Sequence, residues 1–387
     1  MSAPSLLNGR GLLASSMLLL TTSIVGCTTD VSATPEIPDA DESHLGATAS
    51  ALIPSFPPGS VFAPIAPSPG YPEGIIVVGD NVYVAGPAVN GTAGLGPSEV
   101  LVFDRLTGAP KPSIPITGEN TSAEHALSCI ASDASGRLYV LSTQLGVVRL
   151  TPSGSGWVQN IYSPLVPDLP ACRLFGPRPC SPTVFEGGPL VNDLAFDGAG
   201  NLYITDSYQA TIFKVPPGGG PASIWFQSPL FEGVPTQIGL NGLRVSPDQS
   251  KIFVTVTLPL TTPLNGVLYS LPLVPSPQPW QLQVAHVFGV LDGPDGIAFG
   301  ANGDLYVALA GVNGISVLGP NKFEKARYFG PAGSAIPYDG PANIAFDRDG
   351  SILVTNHAVL SNNTSHFAVL ESYVGDTGAP LFTPSLP

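Results

Sequence analysis

Residues 191–207 read VNDLAFDGAGNLYITDS. A polar start leads into an apolar run, an Asp- and Gly-containing turn follows, and a second apolar run with a Tyr closes the segment. That order is a β-hairpin signal. The same pattern occurs six times: PEGIIVVGDNVYVAG (72–86), LSCIASDASGRLYVLST (127–143), the quoted stretch, LNGLRVSPDQSKIFVTV (240–256), PDGIAFGANGDLYVALA (294–310) and ANIAFDRDGSILVTNHA (342–358). Corresponding residues are Glu73, Ser128, Asn192, Asn241, Asp295 and Asn343, at spacings of 55, 64, 49, 54 and 48. A repeat of this length marks an array, and that fact outranks any local reading.

Outward from each hairpin lies a third apolar run, such as TIFKVPP (211–217) or GISVLGP (314–320). A weaker fourth run often follows, as in ASIWFQS (222–228) and KARYFGP (325–331). Four antiparallel strands in about 50 residues make one blade of a β-propeller. The predicted fold is therefore all-β, a six-bladed β-propeller of four-stranded antiparallel blades over residues 61–387. The last copy holds a third strand in HFAVLESYVG (366–375), and SVFAPIAP (60–67) is expected to supply its fourth, closing the ring and removing a free edge. Longer loops are expected near 87–98, 107–124 and 163–189. With 44 Gly, 43 Pro and only 11% charged residues, the composition suits many short strands joined by tight turns.

A propeller places equivalent positions of successive blades on a ring around its axis. At the start of the repeat that ring carries Glu73, Asn192, Asn241 and Asp295. Two carboxylates and two amides are hard oxygen donors, the ligand type calcium prefers. Ser128 in the second copy is a weak ligand, and Asn343 in the sixth either joins the ring or points elsewhere. Asp193 follows Asn192 directly, and its simplest role is to cap the start of its strand. His125 and His357 lie beside blade starts, where both can face the channel mouth in a supporting or proton-shuttling role.

These segments resemble the senescence marker protein/gluconolactonase group of six-bladed propellers. The resemblance runs over about residues 70–376 and rests on Pro72-Glu73-Gly74, Val191-Asn192-Asp193, Leu240-Asn241-Gly242 and Gly293-Pro294-Asp295-Gly296. It implies that Glu73, Asn192, Asn241 and Asp295 hold one catalytic divalent cation, usually calcium, and that a lactone or ester is hydrolysed there. Asp295 is then the nucleophile or the base that activates water. In some related lactonases an Asp placed like Asp193 helps bind a second, structural cation. Magnesium, manganese or zinc suits such a site as well as calcium does. Two other readings stand beside this one: a non-catalytic propeller of the NHL type that binds a protein or glycan, and a lyase or strictosidine-synthase-like enzyme on a similar scaffold.

Residues 1–27 read as an export signal: Arg10, an apolar stretch over Leu12–Val25, and Ile24-Val25-Gly26-Cys27, which resembles a bacterial lipobox. Acylation of Cys27 would anchor the protein to a membrane, outer membrane or cell surface included. Residues 28–60, acidic and Pro-rich, read as a flexible tether. Cys172 and Cys180 are expected to form a disulfide in an oxidising compartment, and Cys129 to be a small buried apolar residue. The formal charge of −14, with no Lys/Arg cluster, excludes nucleic acid as a natural partner. The expected partners are a small-molecule substrate and a membrane, with the protein itself a monomer.

Overall fold

The computed structural model describes residues 55–387, apart from 174, 177, 186 and 235–237. The export signal, Cys27 and most of the tether lie outside the described residues. Among the described residues, twenty-four strands form six four-stranded antiparallel sheets, and the helical pieces are three single 3-10 turns. Among the described residues no helix is long and apolar enough to cross a membrane.

The inner strands are Ile75–Val78, Leu127–Ser132, Val191–Phe196, Leu240–Val245, Pro294–Phe299 and Pro341–Phe346, one for each blade from one to six. The ring closes as expected. Gly59–Pro64 pairs with Ala368–Tyr373 as the outer strand of blade six, so the first and last parts of the fold share one sheet. The folded part also begins earlier than residue 61. Ser55 accepts from the Phe329 amide at 2.7 Å and Pro57 from that of Ala332 at 2.9 Å, tying the end of the tether to blade five.

Hairpin turns follow from the Asp of the repeat. Asp197 Oδ1 accepts the amides of Ala199 and Asn201, while Oδ2 takes the Tyr203 hydroxyl at 3.2 Å. Gly200 completes that turn at a φ of 86°, a conformation open to glycine at no steric cost. Asp133 does the same in blade two, with the Tyr139 hydroxyl at 2.8 Å.

The core is six separate apolar clusters, one at each junction between neighbouring blades. The junction of blades three and four packs Tyr203, Trp225 and Phe231 against Leu243, Val254 and Tyr269. That of blades six and one packs Leu353, Phe367 and Val369 against Ile75, Val82 and Val84, so the closing contact is as apolar as the others. Each buried side chain of this size contributes roughly 2 kcal/mol.

One expected loop is half strand. Pro110–Pro115 (PKPSIP), inside 107–124, is the outer strand of blade one. Three prolines hide a strand from a pattern reading, yet an outer edge tolerates their missing N–H groups. The loops at the start of the inner strands are thus 87–98, 116–126 and 163–189. The third is stapled by the Cys172–Cys180 disulfide and held down by Glu232, which accepts the amides of Val184 and Phe185.

Candidate metal centre in the propeller hub

Five of the six inner strands carry the same irregularity. Two residues face one on the second strand: Ser128-Cys129 face Leu141, Asn192-Asp193 face Thr205, Asn241-Gly242 face Thr255, Asp295-Gly296 face Ala308, and Ala342-Asn343 face Thr355. In blade one, Glu73 and Gly74 bond in the same way around Ala85. A bulge re-aims the side chains at its two extra positions. The candidate ligands therefore sit where the backbone of every blade is bent alike.

This register sorts the hub into levels. The first holds Glu73, Ser128, Asn192, Asn241, Asp295 and Ala342. The second holds Gly74, Cys129, Asp193, Gly242, Gly296 and Asn343. Asn343 is thus one level away from the proposed ligand ring, in phase with Asp193. The two share their local bonds: each backbone amide donates to the Thr of the neighbouring strand at 2.9 Å, and each side-chain Oδ1 accepts from the next amide. Apolar runs align Asn343 with Asn192 because the sixth copy has Ala342 at the ligand position.

A ring of hydroxyls fixes the first level. Thr205 donates to the Asn241 carbonyl at 2.7 Å, Thr255 to that of Asp295 at 2.8 Å and Thr355 to that of Glu73 at 2.7 Å. Each threonine thereby holds the ligand residue of the following blade. Ser128 spends its hydroxyl likewise, on the Val191 carbonyl at 3.1 Å, rather than on the hub centre. The inner strands crowd together at this point. A Cβ on Gly242 would come within 2.4 Å of the Asp295 carbonyl oxygen, and one on Gly296 within 2.6 Å of that of Ala342. These threonines were absent from the sequence reading, although Thr205, Thr255 and Thr355 occupy one position of the repeat.

The hub is acidic and buried. Burial, then the charges of Asp295 and Asp193, push the Glu73 carboxyl well above its ordinary pKa. Burial and Asp193 do the same to Asp295, against the opposing pull of the Gly296 amide and the Asn241 side chain. Among the described residues only four buried polar side-chain atoms lack a partner, and two are Asn241 Oδ1 and Asp295 Oδ1. Natural interiors leave few such atoms without a reason. Asn241 is turned by its own amide nitrogen, which donates to Thr257 Oγ1 at 2.9 Å and leaves Oδ1 free. Asn192 is half-buried at the same level. Among the described residues no three His, Cys, Asp or Glu side chains gather as a metal cluster. The hub instead offers two carboxylates and two amides, an oxygen set suited to a hard cation.

Of the two histidines, one lies at the hub. His357 Nε2 is 3.7 Å from Glu73 Oε2 and 2.7 Å from the Ala88 carbonyl. Burial pushes its pKa down to about 4, so it is neutral near pH 7, with the Nε2 proton on Ala88. His125 is committed elsewhere. Its two ring nitrogens face the carbonyls of Ala123 and Gly96 at 2.9 and 2.8 Å, which pins the 87–98 loop. Burial alone would lower its pKa, but those carbonyls, with Glu119 and Glu124, raise it.

Arg244 was not singled out in the sequence. It lies on the level below Asp193, where blades two, three, five and six carry Ala131, Ala195, Ala298 and Ala345. Its guanidinium bonds Asp193 at 2.9 and 3.1 Å and reaches Asn343 across the channel at 3.3 Å. Asp193 is thus an ion-pair partner as well as a start-of-strand cap.

No protein-family model matches this chain, and no curated protein matches it. Solved structures do. A calcium-binding protein, regucalcin from Agrobacterium tumefaciens, is similar at 17% identity with a TM-score of 0.59, over 87% of this chain and 100% of its own. A gluconolactonase from Xanthomonas campestris is similar at 15% identity, TM-score 0.52, over 85% and 99%. A luciferin-regenerating enzyme is similar at 14%, TM-score 0.51, over 82% and 95%. At such identities the likeness establishes the six-bladed fold.

Proposed function

We infer that this protein is a divalent-cation-dependent hydrolase of lactones or related esters, with calcium the first candidate ion. The observation that carries the reading is the pair of buried, unpartnered oxygens on Asn241 and Asp295, beside a Glu73 that burial and its neighbours make hard to ionise. Three buried carboxylates, Glu73, Asp193 and Asp295, stand against one guanidinium, Arg244. The balance of −2 is that of one divalent cation. Gluconolactonase and calcium-binding propellers among the similar structures agree with this reading.

Glu73, Asn192, Asn241 and Asp295 would hold the ion, which when bound supplies Lewis-acid polarisation of the substrate carbonyl. Asp295 would either attack the carbonyl carbon, expelling the alkoxide of the ester bond and leaving an acyl-carboxylate for water to hydrolyse, or take a proton from a water that attacks directly. Thr257 orients the Asn241 amide, and Thr255 fixes the Asp295 backbone. His357, held neutral, adds no positive charge to compete with the ion. The loops 87–98, 116–126 and 163–189 wall the entrance, and the last exposes Phe175, Val184 and Phe185 to an incoming apolar substrate.

A panel of lactones and aryl esters, assayed with and without chelator, tests the reading. Activity should disappear with chelator and return with calcium, and Asp295→Ala should lower it about a thousandfold or more with the fold intact. Turnover indifferent to chelator and to Asp295→Ala would leave only a binding propeller. From the N-terminal sequence alone, we also propose that the enzyme lies outside the cytoplasm, lipid-anchored at Cys27. Fatty-acid labelling lost in Cys27→Ala supports that placement, and labelling retained in that variant contradicts it.

A further inference from the structure

Beneath the candidate ligand ring lies a second nest of oxygens, and a side chain fills it. Arg244 Nη1 is 2.9 Å from Asp193 Oδ2, 3.1 Å from Asp193 Oδ1 and 2.6 Å from the Leu243 carbonyl. Its Nη2 is 3.3 Å from Asn343 Oδ1. Oxygens from blades three, four and six thus converge on one buried cation. The remaining donors to Asp193 are neutral: the Leu194 and Leu243 amides, each at 2.7 Å, and the Cys129 thiol, also at 2.7 Å. Burial, and then Asp193, keep that thiol protonated. Room for the guanidinium comes from its surroundings. Gly74, Gly242 and Gly296 sit on the level above, and four alanines share its own level.

A carboxylate, an amide oxygen and a backbone carbonyl are also what a hard metal ion takes as ligands. An ion at such a place would put four positive charges into a hub with three carboxylates. A guanidinium brings one, and it cannot be chelated away or lost by deprotonation. We propose that the Arg244 guanidinium is a built-in cation occupying a second ion seat in the channel, so that Asp193 is neutralised by the chain itself. Arg244 is then a positioning residue: it holds Asp193, and through Asp193 the bulge that carries Asn192.

The charge count rests on the reading that the first level binds a catalytic ion, whereas the contacts of Arg244 do not, and the test keeps the two apart by counting differences from the parent protein. Calcium bound per chain is measured by equilibrium dialysis and atomic absorption, with melting temperature read in chelator and in excess calcium. Arg244→Ala empties the seat, and should bind one more ion than the parent. In chelator it should melt about 8 °C lower, as expected for a buried carboxylate stripped of its partner, and excess calcium should restore at least half of that loss. Arg244→Met removes the charge but keeps the volume filled, so it should gain no ion. Asp193→Asn combined with Arg244→Ala should gain none either.

An unchanged ion count in Arg244→Ala would overturn the proposal, as would an extra ion retained in the double variant. Failure of Arg244→Ala to fold even in excess calcium would overturn it too, since a vacated ion seat must be one that calcium can fill. A parent that binds no ion at all defeats the proposed catalytic centre, yet the extra ion in Arg244→Ala still decides the matter of the second seat.

Discussion

The two ends of the central channel are built from the same six strands and are opposites. At the end where the inner strands start, side chains of Glu73, Asn241 and Asp295 come together beside Asn192 on the same level, and two of their oxygens are buried without a partner. Where the strands finish, Val77, Leu194, Phe196, Val245, Phe299 and Ile344 surround a cavity of about 470 Å³, covered by residues 377–383. That segment is bonded to the blades themselves. Ala301 donates to the Thr377 carbonyl at 2.6 Å, Ala379 to Phe299 at 2.8 Å, and Ala134 to Pro384 at 3.1 Å. Arg137 holds the carbonyls of Leu386 and Pro387. The charged groups that line this cavity are paired, Arg105 with Asp347 and Arg244 with Asp193. On the proposed function, chemistry belongs to the end with unsatisfied groups and stability to the other.

Cutting the covering segment should break the comparison most visibly if the two ends are coupled. Removal of residues 377–387 uncovers the chamber and takes away Phe382 and Leu386, which pack on the blade junctions. The expected loss is about 5 kcal/mol, read as a lower midpoint in urea unfolding. Hydrolysis per folded molecule should be unchanged; a parallel fall in activity would show that the ends work together.

Acid–base behaviour separates the ends next. His357 has a pKa lowered to about 4 in the fold from an ordinary 6.5. Its neutral form therefore favours the native state above pH 6.5, and that contribution, roughly 3 kcal/mol, is lost as pH falls toward 4. His357→Gln should remove this slope from a pH series of unfolding midpoints. Glu73 and Asp295 act in the opposite sense. Their pKa values are raised by folding, so their contributions are full below the ordinary values of 4.5 for Glu73 and 3.8 for Asp295 and are lost as pH rises through the folded values. Metal-free His357→Gln should thus lose stability with rising pH, and calcium should cancel the loss. A flat series in both conditions would mean that the hub carboxyls are not buried together.

The smallest effects should come from the hydroxyl ring. Thr255→Val removes the bond to the Asp295 carbonyl and should cost about 1–2 kcal/mol, together with a drop of about tenfold in calcium affinity. Arg137→Ala at the covered end should cost a comparable amount of stability with no change in affinity.

Much of this was legible from residue order. Period and hairpin pattern are local properties, so the six blades, the closing strand at residues 59–64 and the disulfide could be read directly. The levels of the hub could not. A bulge adds one residue without altering the apolar pattern on either side of it, so Asn343 looked equivalent to Asn192 when it is equivalent to Asp193. Arg244 was hidden by its setting, since one charged residue in an apolar strand normally faces solvent. Here it stands among alanines from other blades, which only the closed ring brings beside it. Pro110–Pro115 was lost because strand propensity penalises proline, whereas an outer edge does not.

The central claim is that the first level of the hub is a seat for one divalent cation. Titrating metal-free protein with calcium at pH 6, in two buffers of different ionisation heat, tests it most directly. The account requires one ion per chain and a release of protons on binding, both lost in Glu73→Gln combined with Asn241→Ala. Absence of binding, or binding that this double variant leaves unchanged, would contradict it.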